Sequence, residues 1–207
     1  MISRRETSMQ LLATKELYTY WESIRAGRPS PERNDIDPGA IRSVLADTFI
    51  LDFDNQNGFP FRIAGSKTNA MFLTELRGVS FLKLWREADH EEIKSILRRL
   101  GSEIQPFCLG AEARPPGLSR LEIEAMLLPL RHQGSTRSRV LGSIAARSTP
   151  HWLSLISVGL MTLTSARVLD PSGSPAASEH AKGASLAAAA LSARDSISHQ
   201  PPIKQKR

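Results

Sequence analysis

The sequence predicts an α+β domain, with an antiparallel sheet and its helices drawn from separate stretches of chain and one helix flanking them on the N-terminal side. Three observations carry this. Residues between Thr48 and Ile63 alternate in hydrophobicity on both sides of a turn. The stretch from Asn69 to Leu100 then shows helical spacing, and Pro106 to Arg147 returns to alternation. Strands, then helices, then strands is the order of a fold that segregates its helices to one side of a sheet.

At the N-terminus, Leu17, Tyr20, Trp21 and Ile24 fall at i, i+3, i+4 and i+7, one face of a helix that Gly27 and Pro29 end. Arg28 to Asp35 is a proline-bearing loop. Asp37 has the character of an N-cap with Pro38 at the first helical position, so a short helix burying Ile41, Val44 and Leu45 is expected. Phe49, Leu51 and Phe53 then alternate with Thr48 and Asp52. Asp54-Asn-Gln-Asn-Gly58 makes a turn, and Phe59, Phe61 and Ile63 resume the alternation as a hairpin. Asn69 to Leu76 reads as a short helix stopped by Gly78. Ser80 caps the next turn, which buries Phe81, Leu84 and Trp85.

Asp89 and Glu92 have capping-box spacing ahead of a helix whose apolar face is Ile93, Ile96, Leu97 and Leu100. Strands are expected from Pro106 to Ala113, from Leu121 through Leu127, and from Val140 to Arg147, with His132-Gln-Gly-Ser-Thr turning between the last two. Residues 151–169 read equally as strand or helix. From Asp170 onward Ala, Ser, Pro and Gly dominate and aromatics vanish, a composition expected to stay disordered. The implied organisation is an N-terminal helical flank over 1–46, a core over 47–148, a C-terminal extension over 149–169 and a tail over 170–207.

The 41% hydrophobic and 23% charged content suits a soluble globular protein with one domain and appendages. Net charge is +6, but the basic residues are scattered, which favours a solvated surface over a nucleic-acid footprint. Cys108 is the single cysteine, so neither an intramolecular disulfide nor a cysteine-based zinc site can form. No signal-peptide core follows Met1, and the apolar run from Trp152 to Leu163 is too short to span a bilayer. The expected location is the cytoplasm.

Catalytic patterns are missing from the sequence. It holds no Gly-x-Ser-x-Gly elbow and no phosphate loop, and no two histidines share metal-ligand spacing. Glu122 and Glu124 share a strand face and could pair as acid and base, but their alternation with Leu121, Ile123 and Ala125 fits a solvent-facing side better. No enzyme and no metal are expected.

The order of two strands, a helical middle and three strands over residues 47–148 resembles a PAS domain, a small sensor module. The flanks add to the resemblance: Leu17-Tyr-Thr-Tyr-Trp, Arg28-Pro-Ser-Pro-Glu-Arg, Asp35-Ile-Asp-Pro, Leu127-Leu-Pro-Leu and Pro150-His-Trp-Leu resemble the signature of small proteobacterial single-domain PAS proteins. The resemblance implies a five-stranded antiparallel sheet with helices on one face and an apolar space between them. Phe49, Leu51, Phe61, Ile63, Phe72, Trp85, Ile96, Met126 and Ile144 would face that space, either as a filled core or as the lining of a small apolar ligand's site, since both are written with the same residues.

No cofactor is implied. The helix after the second strand carries no cysteine of the kind flavin photosensors use, Cys108 belongs to a strand, and His90 sits at a helix start where solvent is the normal surrounding. The stripe Leu17, Tyr20, Trp21 and Ile24 would dock as an interface on the outer sheet face or on a second subunit. The expected function is regulatory, through a protein partner, with no nucleic acid or integral membrane segment, and the resemblance to PAS domains, which often dimerise through an N-terminal helix, implies a homodimer. An enzyme of unknown type, or an adaptor binding acidic membrane or nucleic acid through the basic tail, is the rival.

Overall fold

The computed structural model describes residues 9–132 and 135–169. The expected disordered tail and the centre of the 132–136 turn lie outside the described residues. Elements run in the order α1 (Leu12–Arg25), β1 (Thr48–Asp52), β2 (Phe61–Ala64), α2 (Ser66–Phe72), α3 (His90–Glu103), β3 (Phe107–Ala113), β4 (Leu121–His132), β5 (Ser135–Ala146) and β6 (Met161–Val168), with short 3-10 turns between them. All strands join one antiparallel sheet in the order β2-β1-β5-β4-β3-β6.

The sheet thus has six strands where five were expected. The sixth, β6, comes from the stretch whose pattern left strand and helix open. It pairs along the whole of β3, from Phe107↔Val168 to Ala113↔Met161. Its start is tied to the helical half: the Arg86 N–H donates to the Met161 carbonyl at 2.9 Å and the Leu163 N–H donates to Asp89 Oδ2 at 3.0 Å. Asp89 is therefore an anchor for β6, and it makes no side-chain cap on α3 as its spacing with Glu92 had suggested.

Three other expectations shift. Residues 38–44 form turns and Leu45–Asp47 a 3-10 turn, where a helix was expected. Asp37 Oδ1 does accept from the Gly39 N–H at 2.9 Å as an N-cap would, but the backbone beyond it closes i+3 turns, Ala40 N–H to the Asp37 carbonyl at 3.2 Å and Val44 N–H to the Ile41 carbonyl at 3.0 Å. Ile41 and Val44 are buried there as expected, but Leu45 is exposed. α2 begins at Ser66, with Gly65 as its N-cap, and ends with Leu73 in the left-handed region, earlier than the Asn69–Leu76 reading. Ser80 does cap its turn, its hydroxyl accepting from the Leu82 N–H at 3.2 Å.

Two clusters of buried side chains sit on opposite faces of the sheet. The inner cluster joins the sheet to α2, α3 and the turns around Phe81. The outer cluster joins β4, β5 and β1 to α1 and to the segment around Ile41. β4 separates the two, and Ala125 to Leu130 along it is buried without interruption, as expected of a strand covered on both sides.

Candidate functional site: two faces of one sheet

On the inner face, Phe49, Leu51, Phe61, Phe72, Trp85, Ile96 and Ile144 are brought together. Their rings touch through a chain of contacts: Phe49 meets Phe61 edge-on at 5.3 Å between centroids, and Phe81 lies 5.7 Å from Phe49 and 5.8 Å from Trp85. Such tilted pairs add to burial energy through ring quadrupoles. Phe49 lies directly across from Gly142 of β5, whose missing side chain makes room for the ring. The Trp85 indole N–H is buried with no acceptor among the described residues. His90 Nε2 lies 3.1 Å from the Trp85 carbonyl, so that half-buried ring closes a turn.

Two of the residues expected on this face lie elsewhere. Ile63 is 57% exposed. A bulge pairs Ile50 with Ile63 but Leu51 with Phe61, leaving Arg62 as the extra residue, and the strict alternation that placed Phe61 and Ile63 together is broken there. Met126 is buried in the outer cluster, because its neighbours Ala125 and Leu127 take the inner face.

On the outer face lies α1. Leu17 and Trp21 are fully buried against the sheet of their own chain, while Tyr20 and Ile24 are half-buried. Ala13 and Thr14 extend the buried stripe toward the helix start. The Trp21 Nε1–H donates to the Pro129 carbonyl at 2.9 Å. That carbonyl is available because β3 pairs with β4 only as far as Leu127. Beyond it the loop takes over the edge: the Arg131 N–H donates to the Pro31 carbonyl at 2.9 Å, and Arg131 Nε lies 3.4 Å from Glu32. The loop is braced by Asp35, whose carboxyl is held below the usual range by the Glu32 N–H and by Arg28 at 2.7 Å.

The residue that sequence reasoning missed is Glu124. It is 8% exposed, under the start of α1, not on a solvent face. Its carboxylate accepts from the Gln10 N–H at 3.1 and 3.2 Å, from the Leu11 N–H at 3.1 Å, and from the Thr14 hydroxyl. Leu11, the N-cap, has no side-chain oxygen for those donors, and a strand supplies it instead. A carboxylate at this end also suits the helix dipole. The outer apolar run Met126, Leu128 and Leu130 was the signal that this face is covered.

Cys108 lies on the same face. Burial, with Glu124 nearby, pushes its thiol up to about 11, so it stays protonated. Farther along the sheet, Glu112 and Glu122 are paired with Arg114, Arg120 and Arg147 at 2.8 to 3.4 Å, with the Arg114 guanidinium holding the Glu112 carboxyl low. Satisfied ion pairs of this kind brace a surface rather than poise an acid and a base. Among the described residues no group of three His, Cys, Asp or Glu could hold a metal, and no helix is long and apolar enough to cross a membrane.

An antiparallel sheet with helices packed on one face and a flanking helix across the other defines an α+β module. A family model for the PAS domain matches residues 9–145, and the chain belongs to that family. PAS domains are in general sensory and regulatory rather than catalytic. Among solved structures, the chain is similar to the LOV protein of Rhodobacter sphaeroides, with 12% identity over 56% of this chain and 71% of that one and a TM-score of 0.40. It is also similar to the PAS domain of a protein from Colwellia psychrerythraea, with 16% identity, 53% and 97% coverage and a TM-score of 0.39. A third is the PAS domain of an HTR-like protein from Haloarcula marismortui, with 16% identity, 64% and 93% coverage and a TM-score of 0.36. No curated protein matches the chain.

Proposed function

We propose that this chain is a cytoplasmic regulatory PAS protein that works by contact with another protein, with a second copy of itself as the simplest partner. The observation that carries this reading is the double role of β4 and β5. Consecutive residues of β4 serve both faces: Leu127 belongs to the inner cluster, Met126 and Leu128 to the outer one under α1. A change in packing on the inner face thus reaches α1 through one layer of strand, and α1 is the element positioned to present that change to a partner. A small, mostly apolar ligand among the inner rings is the natural input, and the unpaired Trp85 N–H is the group that would orient it.

Two measurements test the reading. Ile144→Val removes one inner methylene and is expected to weaken the amide protection of α1 more than that of α3 in hydrogen exchange. Equal loss in both helices would remove the coupling. Sedimentation velocity across a hundredfold concentration range should show a monomer–dimer equilibrium. A monomer throughout would reject the second copy as partner.

A further inference from the structure

α1 covers β4 and β5 but leaves the β1–β2 end of the outer face open. A groove of about 530 Å³ lies there. Ile50 and Leu141 form its floor, the exposed Ile63 one wall, and Ile41 and Leu45 in the 36–46 segment the other. The wall is tied to α1, since the Ser43 hydroxyl donates to Glu16 at 2.6 Å. Two charged side chains line the groove, Arg33 and Arg42. Both are exposed, and neither makes a hydrogen bond or ion pair with its side chain among the described residues.

We infer that this groove binds a free medium-chain or long-chain carboxylate, its tail along Ile50, Ile63 and Leu141 and its head between Arg33 and Arg42. The volume is that of small-molecule sites, which are mostly apolar with a few polar groups that fix orientation. Here the charged groups are both guanidinium ions, whose planar forks match a carboxylate. Arg139 is paired with Asp52 at 2.8 Å and Arg147 with Glu122 at 2.9 Å, whereas Arg33 and Arg42 stand beside an apolar trough with no carboxylate partner among the described residues. The bulge at Arg62 matters too, because it turns Ile63 to this side. The site lies on the opposite face from the inner rings and stands independently of any ligand there.

The test uses the full chain and dodecanoate below its micelle range, followed by calorimetry and by methyl shifts of Ile50 and Ile63. Saturable one-to-one binding is expected, weakened about tenfold or more in Arg33→Glu/Arg42→Glu, as befits lost charge-assisted hydrogen bonds. Dodecan-1-ol should bind correspondingly more weakly than dodecanoate to the parent. The exposed arginines have no packing role, so circular dichroism of the double variant should match the parent. No saturable binding, equal affinity for the alcohol, or unchanged affinity in the double variant would each overturn the assignment. Arginine-dependent co-sedimentation with phosphatidylglycerol vesicles would overturn it in favour of a membrane surface. Binding is read on isolated protein, so its failure leaves the self-association result intact.

Discussion

Glu124 shows how one side chain can hold an element in place. A buried carboxylate is costly unless it is fully hydrogen-bonded, and this one receives two backbone N–H groups and a hydroxyl from the start of α1. Glu124→Ala would leave those donors without an acceptor. It is expected to lower stability by about 1–3 kcal/mol in chemical denaturation, with faster exchange at Gln10 and Leu11. A midpoint equal to the parent's would mean that the clamp contributes nothing. Cys108 gives a second residue-scale prediction. Buried and raised to about 11, its thiol holds about a hundredfold less thiolate at pH 8 than an exposed thiol titrating near 9.0. Iodoacetamide at pH 8 should therefore label unfolded chain readily and leave the native protein unlabelled by mass. Rapid native labelling would place the sulfur in solvent.

At the scale of the element, close approaches decide which substitutions are tolerated. β1 and β5 meet with Phe49 packed over Gly142, and a Cβ added at Gly142 would also lie 2.6 Å from the Met126 carbonyl oxygen. Gly142→Ala is expected to cost about 1–3 kcal/mol as overpacking. A thermal melt unchanged from the parent would show that the ring has room to move. These elements were legible in the sequence where periodicity was uninterrupted. The strip Ile93, Ile96, Leu97 and Leu100 gave α3, and the alternation from Leu121 gave the start of β4. Periodicity failed where a local event changed the phase. The bulge at Arg62 moved Ile63 to the outer face, and beyond the Asp37 cap the chain closes i+3 turns where helical spacing implied a helix. β6 was illegible for another reason: its pairing with β3 is tertiary, and the alternation of Met161, Thr162, Leu163 and Thr164 breaks off after four residues, where the pairing with β3 also slips. Glu124 was misplaced because strand alternation gives the face of a residue and not what covers it; only the apolar run Met126, Leu128 and Leu130 on the same face says that it is covered.

The described residues form a sheet covered on its inner face by α2 and α3 and on its outer face by α1, with the β1–β2 end of the outer face open. Inside, Trp85 is expected to be the costliest single loss in the helical half. Trp85→Ala should cost about 3–5 kcal/mol, since the indole is 1% exposed and packs on Phe81 at 5.8 Å. A change within error in urea denaturation would contradict that packing. Outside, α1 on its own would be marginal in water, and it is ordered because it docks on its own sheet through Leu17, Trp21 and the Glu124 clamp. The regulatory account depends on that docking within one chain. The most direct measurement is hydrogen exchange of α1 in the parent and in Trp21→Ala, taken at several protein concentrations alongside thermal melting. The account predicts strong α1 protection in the parent that persists on dilution to the monomer, with collapse of that protection and a lower melting temperature in the variant at every concentration. Loss of α1 protection on dilution to the monomer, or a variant with the parent's protection and melting temperature, would contradict it.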